Sequence, residues 1–398
     1  MASINDRWWV TKKDGTKTKS DRYQVGLRWQ VRYRNAEGQG RNKSFERRVD
    51  AERFMASVSV ELYQGTYIDR ITSSKPFELV AESWLASRVV DINTYTQNEL
   101  HIRRHMLPRW GKSPIGGIKT SQIQEWISSL SKSGLSSQYV RLIFANFKLI
   151  LDHAVADNLI ATNPSLSKAI KLPAKEKKKL EVMSTEHVAA ILNTFPSDLR
   201  LIPLIGATCG LRQGELFGLR IQDIDLENSV IHVRQQIKVV GYKPIPALPK
   251  GKKTRSVPMP EYVRDQIAEF LEVCEPLEGE CNLEPTEAGI IFTLRERKPI
   301  NKNYFNSSYW VKTLKAAGVP KMRSTGMHGL RHYCASTWLE QGVNIKAVSE
   351  YLGHSDAGFT LRTYTHLISN SDQKARAAFS SLTLKAGSNY LAYSSIVL

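Results

Sequence analysis

The sequence predicts a multidomain, mainly α protein with small β-sheets. A small N-terminal β-sheet plus helix precedes a four-helix domain and then an α+β domain. Three observations predict this fold. Residues 27–34 alternate between apolar and polar side chains, residues 77–158 repeat apolar side chains at helical spacing, and the helical pattern after residue 183 is interrupted by short β-rich stretches. A chain of 398 residues is long enough for two or three such domains.

The first predicted domain, residues 1–70, is built around a half-buried strand at 27–34. Apolar side chains lie on one side of this strand, and the other side carries Arg28, Gln30, Arg32 and Arg34. A turn leads to a second strand at 43–47, and a helix follows from a cap near Asp50 to Gly65. A β-ribbon fits the DNA major groove, so Arg28, Arg32 and Arg34 are candidate DNA contacts. An arginine-rich strand face is also common on plain protein surface.

Four amphipathic helices are predicted in the second domain, residues 71–170. The first follows Pro76, the second runs from an Asn93 cap to about residue 106, and the others cover 118–130 and 137–158. Such a bundle buries a core of its own. The second helix carries Arg103 and Arg104, which we include among the candidate DNA contacts.

A basic linker is predicted at residues 171–182, where the sequence KLPAKEKKKLEV combines lysines with a proline. Lys177, Lys178 and Lys179 are candidate phosphate contacts there, although lysines also occur in linkers simply because they are well solvated. The third domain, residues 183–398, is predicted to be helical except for strands at 230–240 and 253–259.

Positive charge dominates the chain, with a formal net charge of +18, and this predicts a polyanionic partner such as nucleic acid. The first 70 residues hold 15 basic and 9 acidic side chains, and residues 71–180 hold 16 and 8. The remainder holds 25 and 21, so the charge is concentrated in the first two domains and the linker. A basic surface that only keeps the protein in solution is the alternative.

The cysteines and the apolar segments exclude some classes of protein. The four cysteines show no paired spacing typical of zinc sites, which favours reduced thiols; they are Cys209, Cys274, Cys281 and Cys334. The polar N-terminus does not resemble a signal peptide, and no segment is apolar enough to span a membrane. We therefore expect a cytoplasmic protein with no membrane partner.

Six residues of the third domain together provide the chemistry for cutting a phosphodiester without a metal. Tyrosine, with a pKa of roughly 10, becomes a nucleophile when cations stabilise its phenolate and the phosphate. Arginines can hold the non-bridging oxygens, while histidine and lysine can transfer protons. The six candidates are Arg212, Lys250, His328, Arg331, His354 and Tyr364. Each alone is more typical of surface or packing, and His332, next to Arg331, is expected to face away and to have no role.

The order and spacing of these residues resemble those of tyrosine recombinases of the phage-integrase type. The matching stretches are TCGLRQGELFGLRIQDID, PKGKKTRSVP, and MHGLRHYCASTWLEQG through YLGHSDAGFTLRTYTHL. The resemblance implies that Glu215 is a supporting carboxylate, and that the lysine is Lys250 rather than Lys252 or Lys253. It also implies an arm-type DNA-binding domain at 1–70, a helical core-binding, SAM-like domain at 71–170, and a catalytic domain at 183–398.

The resemblance implies a site-specific DNA integrase. In such an enzyme Tyr364 attacks a backbone phosphate, leaving a 3′-phosphotyrosine and a free 5′-hydroxyl, and strand exchange passes through a Holliday junction. No metal or other cofactor is expected. The implied partners are double-stranded DNA attachment sites, three further copies in a homotetramer on DNA, an excisionase and a host DNA-bending protein. The implied setting is the cytoplasm of a bacterial host that carries a phage or mobile element.

Three alternatives remain open at this level. A chromosome-dimer resolvase shares the chemistry but normally lacks the N-terminal domain. A type IB-like topoisomerase would relax DNA without a specific site. A catalytically inactive recombinase-like protein would act as a DNA-binding regulator. The tail from Gly387 matches no pattern, and Tyr390 to Leu398 is either a strand that packs on a neighbouring subunit or a frayed end.

Overall fold

The computed structural model describes residues 2–12, 15–35, 38–65, 67–175, 181–279, 285–294, 297–354 and 356–364. The chain forms two compact units, Met1–Lys177 and Lys178–Leu398. The predicted tail from Gly387 and the candidate contacts Lys177, Lys178 and Lys179 lie outside the described residues. Within them, no helix is long and apolar enough to cross a membrane.

The first unit begins with a small antiparallel sheet and a separate hairpin. The strands are β1 (Ser3–Asp6), β2 (Trp9–Thr11), β3 (Lys17–Lys19), β4 (Trp29–Arg34) and β5 (Gly40–Phe45). The sheet has the order β1-β4-β5, with Val31 opposite Lys43, and β2 pairs with β3. The bounds of β4 and β5 agree approximately with those of the two strands predicted at 27–34 and 43–47. Strand β1 and the hairpin were not predicted, because strands of three or four residues are too short to show an alternation of apolar and polar side chains.

One helix covers one face of this sheet and leaves the other face to solvent. Helix α1 (Arg48–Tyr63) buries Ala51 and Val58, and its Phe54 ring contacts Tyr33 and Phe45. On the opposite face the side chains of Arg32 and Arg34 are exposed. The alternation along β4 therefore separates a packed face from a basic face, as the sequence predicts.

Helices form the rest of the first unit. They are α2 (Arg70–Ser73), α3 (Phe77–Ala86), α4 (Ile92–His101), α5 (Leu107–Trp110), α6 (Thr120–Lys132) and α7 (Ser137–Ala156), with a π-helical turn at Ile102–Met106 between α4 and α5. Phe77, Trp126 and Phe147 pack in the core of this bundle. The predicted cap at Asn93 is wrong by two residues. The Asp91 carboxylate accepts the hydrogen bonds from the backbone N–H groups of Asn93 and Thr94, which a carboxylate does well.

The second unit combines helices with two small sheets. Its elements, in chain order, are α8 (Thr185–Thr194), α9 (Leu201–Thr208), α10 (Gln213–Phe217), β6 (Ile224–Asp225), β7 (Val230–Val233), β8 (Gln236–Val240), β9 (Lys243–Ala247), β10 (Arg255–Pro258), α11 (Glu261–Val273), α12 (Lys302–Phe305), α13 (Val311–Ala316), α14 (Met327–Glu340), α15 (Ile345–Leu352) and α16 (Ala357–Tyr364). The sheets are β10-β7-β6 and the hairpin β8-β9. The predicted strand at 230–240 is therefore two strands in different sheets, divided at residues 234 and 235.

A buried helix at the centre of this unit positions the candidate residues. Residues 201–207 of α9 are buried, and Gly206 approaches Leu330 of α14 so closely that a Cβ there would lie 3.4 Å from the leucine side chain. Helix α14 carries His328 and Arg331, and the loop after α9 leads to Arg212. Packing of α9 against α14 thus brings together residues that are more than 100 positions apart.

Candidate active site

The buried carboxylate of Glu215 holds two arginines from different elements. It accepts a hydrogen bond from Arg212 Nη1 at 2.9 Å, and two from Arg255 at 2.9 and 2.6 Å. The backbone N–H of Arg212 also donates to Glu215, at 2.8 Å. Burial by itself raises the pKa of Glu215, but the hydrogen bonds and charge of Arg255, with the charges of Arg212 and Arg331, lower it to about 2. Glu215 is therefore ionised at neutral pH.

The same two arginines, together with Arg331, bind three consecutive backbone carbonyls at the end of α15. Arg255 Nε donates to the carbonyl of Tyr351 at 2.6 Å, Arg331 Nη2 donates to that of Leu352, and Arg212 Nη2 donates to that of Gly353 at 3.0 Å. These carbonyls lie at the negative end of the helix dipole, where cations are stabilised. Each guanidinium is thereby held in one orientation.

Gly353 makes this arrangement possible because its backbone is left-handed, with φ +62°. The turn brings the N–H of His354 back to the carbonyl of Ser349 at 3.0 Å, and the Gly353 carbonyl is left to accept from Arg212. A Cβ at this position would lie 3.0 Å from Cδ of Arg255. The glycine is thus required both by the turn and by the close approach of Arg255.

Arg331 is the most buried of the three arginines, with 2% of its surface exposed. Besides Leu352 it donates to the carbonyl of Gly210 at 2.8 Å. Burial, and the nearby charge of Arg212, lower its pKa to about 9, so it stays positively charged at neutral pH. We call Arg212, Arg255 and Arg331 around Glu215 the arginine cluster. The arginine cluster contains three guanidinium groups and one carboxylate, and it therefore carries a net positive charge.

Two of the predicted histidines lie beside the arginine cluster as neutral imidazoles. Burial, and the charges of Arg331 and Arg212, lower the pKa of His354 to about 3. Its Nδ1 is hydrogen-bonded to the hydroxyl of Thr360 at 2.7 Å. The His328 side chain is partly exposed, but the surrounding protein and the same two arginines also lower its pKa. Both rings can donate one hydrogen bond and accept another near a phosphate.

Tyr364, at the end of α16, is buried with 1% of its surface exposed. Burial raises the pKa of its hydroxyl to about 12, while the charge of Arg331 acts in the opposite direction. The hydroxyl is hydrogen-bonded to His332 Nδ1 at 2.7 Å. The sequence expectation that His332 has no role overlooked this contact. His332 does lie about 100° around the helix from Arg331, but α16 packs on that side.

The structure does not bring Lys250 into contact with the other five candidates. It lies exposed in the turn between β9 and β10, and it makes no hydrogen bond or ion pair with the part of the chain that the structure describes. Arg255, to which the sequence analysis assigns no role, lies five residues further on and belongs to the arginine cluster. An arginine at the start of the predicted strand at 253–259 was the available signal for it, and the i, i+4 spacing of His328 and His332 was the signal for His332.

The candidate DNA contacts of the first unit fall into two groups. Arg28 is committed to an intramolecular ion pair, with Nη2 at 2.8 Å from the Asp6 carboxylate, and its guanidinium stacks on Trp29. Arg32 and Arg34 on the outer face of the sheet are exposed, as are Arg103 and Arg104 on the π-helical turn. The geometry therefore favours the four exposed arginines, rather than Arg28, as surface contacts for a phosphate backbone.

The chain is similar to known proteins in both of its units. Residues 180–371 match the model of the phage integrase family, and residues 77–131 match the phage integrase N-terminal SAM-like domain. A XerC-like tyrosine recombinase of Caldanaerobacter subterraneus subsp. tengcongensis is 33% identical over 269 residues, which are 63% of this chain and 68% of the relative. This chain belongs to the phage integrase family of tyrosine recombinases. It is a site-specific tyrosine recombinase, as the order of its candidate residues predicts.

Two further proteins extend the similarity of this recombinase. A protein of Mycobacterium tuberculosis described as a prophage phiRv2 integrase is 25% identical over 366 residues, which are 89% of the recombinase and 93% of the relative. The Tn1549 transposon integrase, solved in complex with a circular intermediate DNA, has a TM-score of 0.67 and 22% identity, and the alignment covers 78% of the recombinase and the whole of that chain. The integrase-like fold with a SAM-like domain and small sheets is therefore confirmed.

Among the described residues of the recombinase, no group of three or more histidine, cysteine or acidic side chains could hold a metal ion. Cys209, Cys274 and Cys334 are free thiols, and Cys281 lies outside the described residues. Burial raises the pKa of Cys209 to about 12, so this thiol is protonated and unreactive at neutral pH.

Proposed function

We propose that this recombinase integrates a phage or other mobile element into DNA through a covalent tyrosine intermediate. The observation that carries the proposal is the arginine cluster, which holds Arg212 and Arg331 in fixed orientations beside Glu215 and the end of α15. Of its three charges, that of Arg331 acts on the buried hydroxyl of Tyr364. A phosphodiester bound by Arg212 and Arg331 would present its phosphorus to that hydroxyl. Fixed guanidinium donors gain strength as charge develops on the phosphate oxygens, which lowers the barrier.

In the proposed cleavage step the Tyr364 oxygen bonds to phosphorus, and the bond from phosphorus to the 5′ oxygen breaks. This leaves a 3′-phosphotyrosine and a free 5′-hydroxyl. His328 and His354 bind the phosphate oxygens as hydrogen-bond donors. Lys250 protonates the departing 5′ oxygen, and its exposed turn would have to close over the DNA to do so. Attack by the 5′-hydroxyl of a partner duplex rejoins the strand, and a second exchange resolves a Holliday junction.

Similarity along most of the chain supports a mobile-element integrase over a chromosome-dimer resolvase. The prophage integrase relative aligns over 89% of the chain, whereas the XerC-like relative aligns over 63%. The Tn1549 integrase, which shares the fold, was solved with a circular intermediate DNA. We therefore propose double-stranded attachment sites, a homotetramer on DNA, an excisionase and a host DNA-bending protein as partners.

The proposed DNA interface includes both parts of the first unit. The outer sheet face with Arg32 and Arg34 would bind arm-type sites, and Arg103 and Arg104 would contact the core site. Lys177, Lys178 and Lys179 of the linker would lie along the phosphate backbone. These contacts position the protein, because arginine and lysine bind phosphate without reading sequence.

Covalent capture tests the proposal directly. Randomly nicked DNA from the source genome would be incubated with the protein in EDTA, so that a nick next to the scissile phosphate releases a short fragment and traps the adduct. DNA that stays attached to protein in denaturant would be sequenced, with Tyr364→Phe as the test variant and Tyr333→Phe as the matched control. A few sharp sites, lost only in Tyr364→Phe, are expected.

The other outcomes contradict the proposal in different ways. Adducts scattered over the genome would indicate a type IB-like topoisomerase. Tight DNA binding without any adduct would indicate an inactive regulator. An adduct that persists in Tyr364→Phe would assign the nucleophile to another tyrosine.

A further inference from the structure

His332 is the side chain that contacts the hydroxyl of Tyr364. Its Nδ1 lies 2.7 Å from the hydroxyl oxygen, and the two ring centroids are 5.8 Å apart. Within the described residues, His332 is the only hydrogen-bond partner of that hydroxyl. The other two histidines of the site are engaged elsewhere: His354 Nδ1 binds Thr360, and the His328 ring packs edge-on against His332 at 4.7 Å.

The charge states of the pair fix the direction of the hydrogen bond. Burial, followed by the charges of His328, Arg331 and Arg323, lowers the pKa of His332 to about 4, so the imidazole is neutral at pH 7. His354 also faces it. Tyr364 is a neutral phenol, because burial raises its pKa to about 12. A phenol is a stronger donor than a neutral imidazole, so the Tyr364 O–H donates to Nδ1 and the imidazole proton is on Nε2.

We propose that His332 is a catalytic residue of the proposed cleavage reaction, in which its Nδ1 accepts the proton of the Tyr364 hydroxyl as that oxygen attacks the phosphate. The inference rests on the proposed function and names a proton acceptor for it. The Tyr364 O–H bond breaks, the oxygen–phosphorus bond forms, and the proton moves to His332. The bond from phosphorus to the 5′ oxygen breaks, and that oxygen takes its proton from a separate acid, Lys250.

Substrate binding strengthens His332 as a base. A phosphate anion bound to the arginine cluster cancels part of the positive charge that disfavours protonation of His332. The phenol proton also becomes more acidic as its oxygen bonds to phosphorus, so transfer becomes favourable during the reaction. In the rejoining step the path reverses, and protonated His332 returns its proton to the departing tyrosine oxygen.

A substrate with sulfur in place of the bridging 5′ oxygen isolates this proton transfer, because a thiolate leaves without needing a proton. The duplex would carry the site recovered by covalent capture, and the rate of adduct formation would be measured in single turnover from about pH 6 to 9. This range lies between the pKa of about 4 of His332 and that of about 12 of Tyr364. The variants are His332→Ala and His332→Gln, with Lys250→Ala as the matched control. Glutamine keeps a hydrogen-bond acceptor but is not a base.

The expected result separates the two proton-transfer roles. Lys250→Ala should regain nearly the wild-type rate on the sulfur substrate, whereas both His332 variants should stay slower by roughly 10²- to 10⁴-fold at pH 7. The wild-type rate should be nearly independent of pH in this range. The rate of both His332 variants should rise about tenfold per pH unit, because only the ionised tyrosine then reacts.

A positioning role without proton transfer would give a different result. If His332→Gln cleaves at the wild-type rate, or if the variants are slow but have the flat wild-type pH profile, the inference is wrong. Gel-shift binding of the same duplex reports whether each variant is folded, and His332→Gln remains informative if His332→Ala is not. Sharp adduct sites that are lost in Tyr364→Phe test the proposed function separately, whatever the result at His332.

Discussion

Arg255 donates two hydrogen bonds to the buried carboxylate of Glu215, at 2.9 and 2.6 Å. Such a bidentate pair fixes both side chains, because the planar fork of the guanidinium matches the carboxylate. Glu215 also holds Arg212. The carboxylate therefore orients two cations while neutralising only one of them, and the arginine cluster keeps the positive charge that a phosphate requires.

Replacing Glu215 by glutamine should destabilise the protein strongly. The amide leaves buried guanidinium groups without a counter-charge, which typically costs about 3–5 kcal/mol. Urea unfolding monitored by tryptophan fluorescence would measure the loss. Asp265→Asn is the control, since Asp265 pairs with Arg264 at 2.8 Å on the surface, where loss of an ion pair should change stability little. Equal losses for the two variants would show that Glu215 does not hold the arginine cluster together.

Stability should depend on pH in the acid range through the same carboxylate. The pKa of Glu215 is about 2 in the folded protein, below the roughly 4.3 of an unfolded chain. Its contribution is therefore fully present above the unfolded pKa and is lost as pH falls toward the folded pKa. The free energy of unfolding would be measured at steps between about pH 5 and 3. The wild type should lose more stability over this range than Glu215→Gln, because the glutamine at position 215 does not titrate. Parallel curves would contradict the assignment.

Gly353→Ala should impair both stability and cleavage. A left-handed alanine costs about 1–2 kcal/mol, and here its Cβ would also lie 3.0 Å from Arg255 and move the carbonyl that binds Arg212. Gly241→Ala is a matched control, since its φ is +60° and a Cβ there meets nothing within 4 Å. We expect similar backbone strain in the two variants but a roughly tenfold or larger loss of adduct formation only in Gly353→Ala. Equal cleavage would exclude a role for this turn in orienting Arg212.

Arg32→Ala should weaken the binding of arm-type DNA and reduce the salt dependence of that binding. Arg28→Ala should leave the salt dependence unchanged. The Arg32 side chain is exposed and donates a hydrogen bond to the neutral side chain of Gln30, whereas Arg28 is held in an ion pair by Asp6. Losing one phosphate contact reduces the slope of log affinity against log salt by about 1. Fluorescence anisotropy across a salt series would measure both slopes. A reduced slope for Arg28→Ala would mean that its ion pair opens on DNA.

Deleting residues 1–70 should spare cleavage of a core site but abolish integration into long attachment sites. The core-site contacts proposed for Arg103 and Arg104, and all six candidate catalytic residues, lie outside the deleted segment. A suicide-substrate assay would report cleavage, and a two-plasmid assay would report integration. Full integration by the truncated protein would overturn the assignment of an arm-type domain.

Local sequence patterns were sufficient where the signal repeats within one element. The periodicity of apolar residues predicted helices close to those observed at Thr120–Lys132 and Ser137–Ala156, because each buries one face along its whole length. Strands such as Lys17–Lys19 were not predicted, since three polar residues carry no period. The π-helical turn at Ile102–Met106 was equally invisible to a pattern based on 3.6 residues per turn.

The sequence by itself determined the family and the six candidate residues, because their types, order and spacing are read directly from the chain. Tertiary structure alone decided which side chains meet. Arg255 reaches Glu215 across 40 residues, Arg331 reaches Gly210 across 121, and His332 reaches Tyr364 from a different helix. Such contacts depend on how buried helices pack against one another, and no local periodicity encodes the direction in which a side chain points once they have packed.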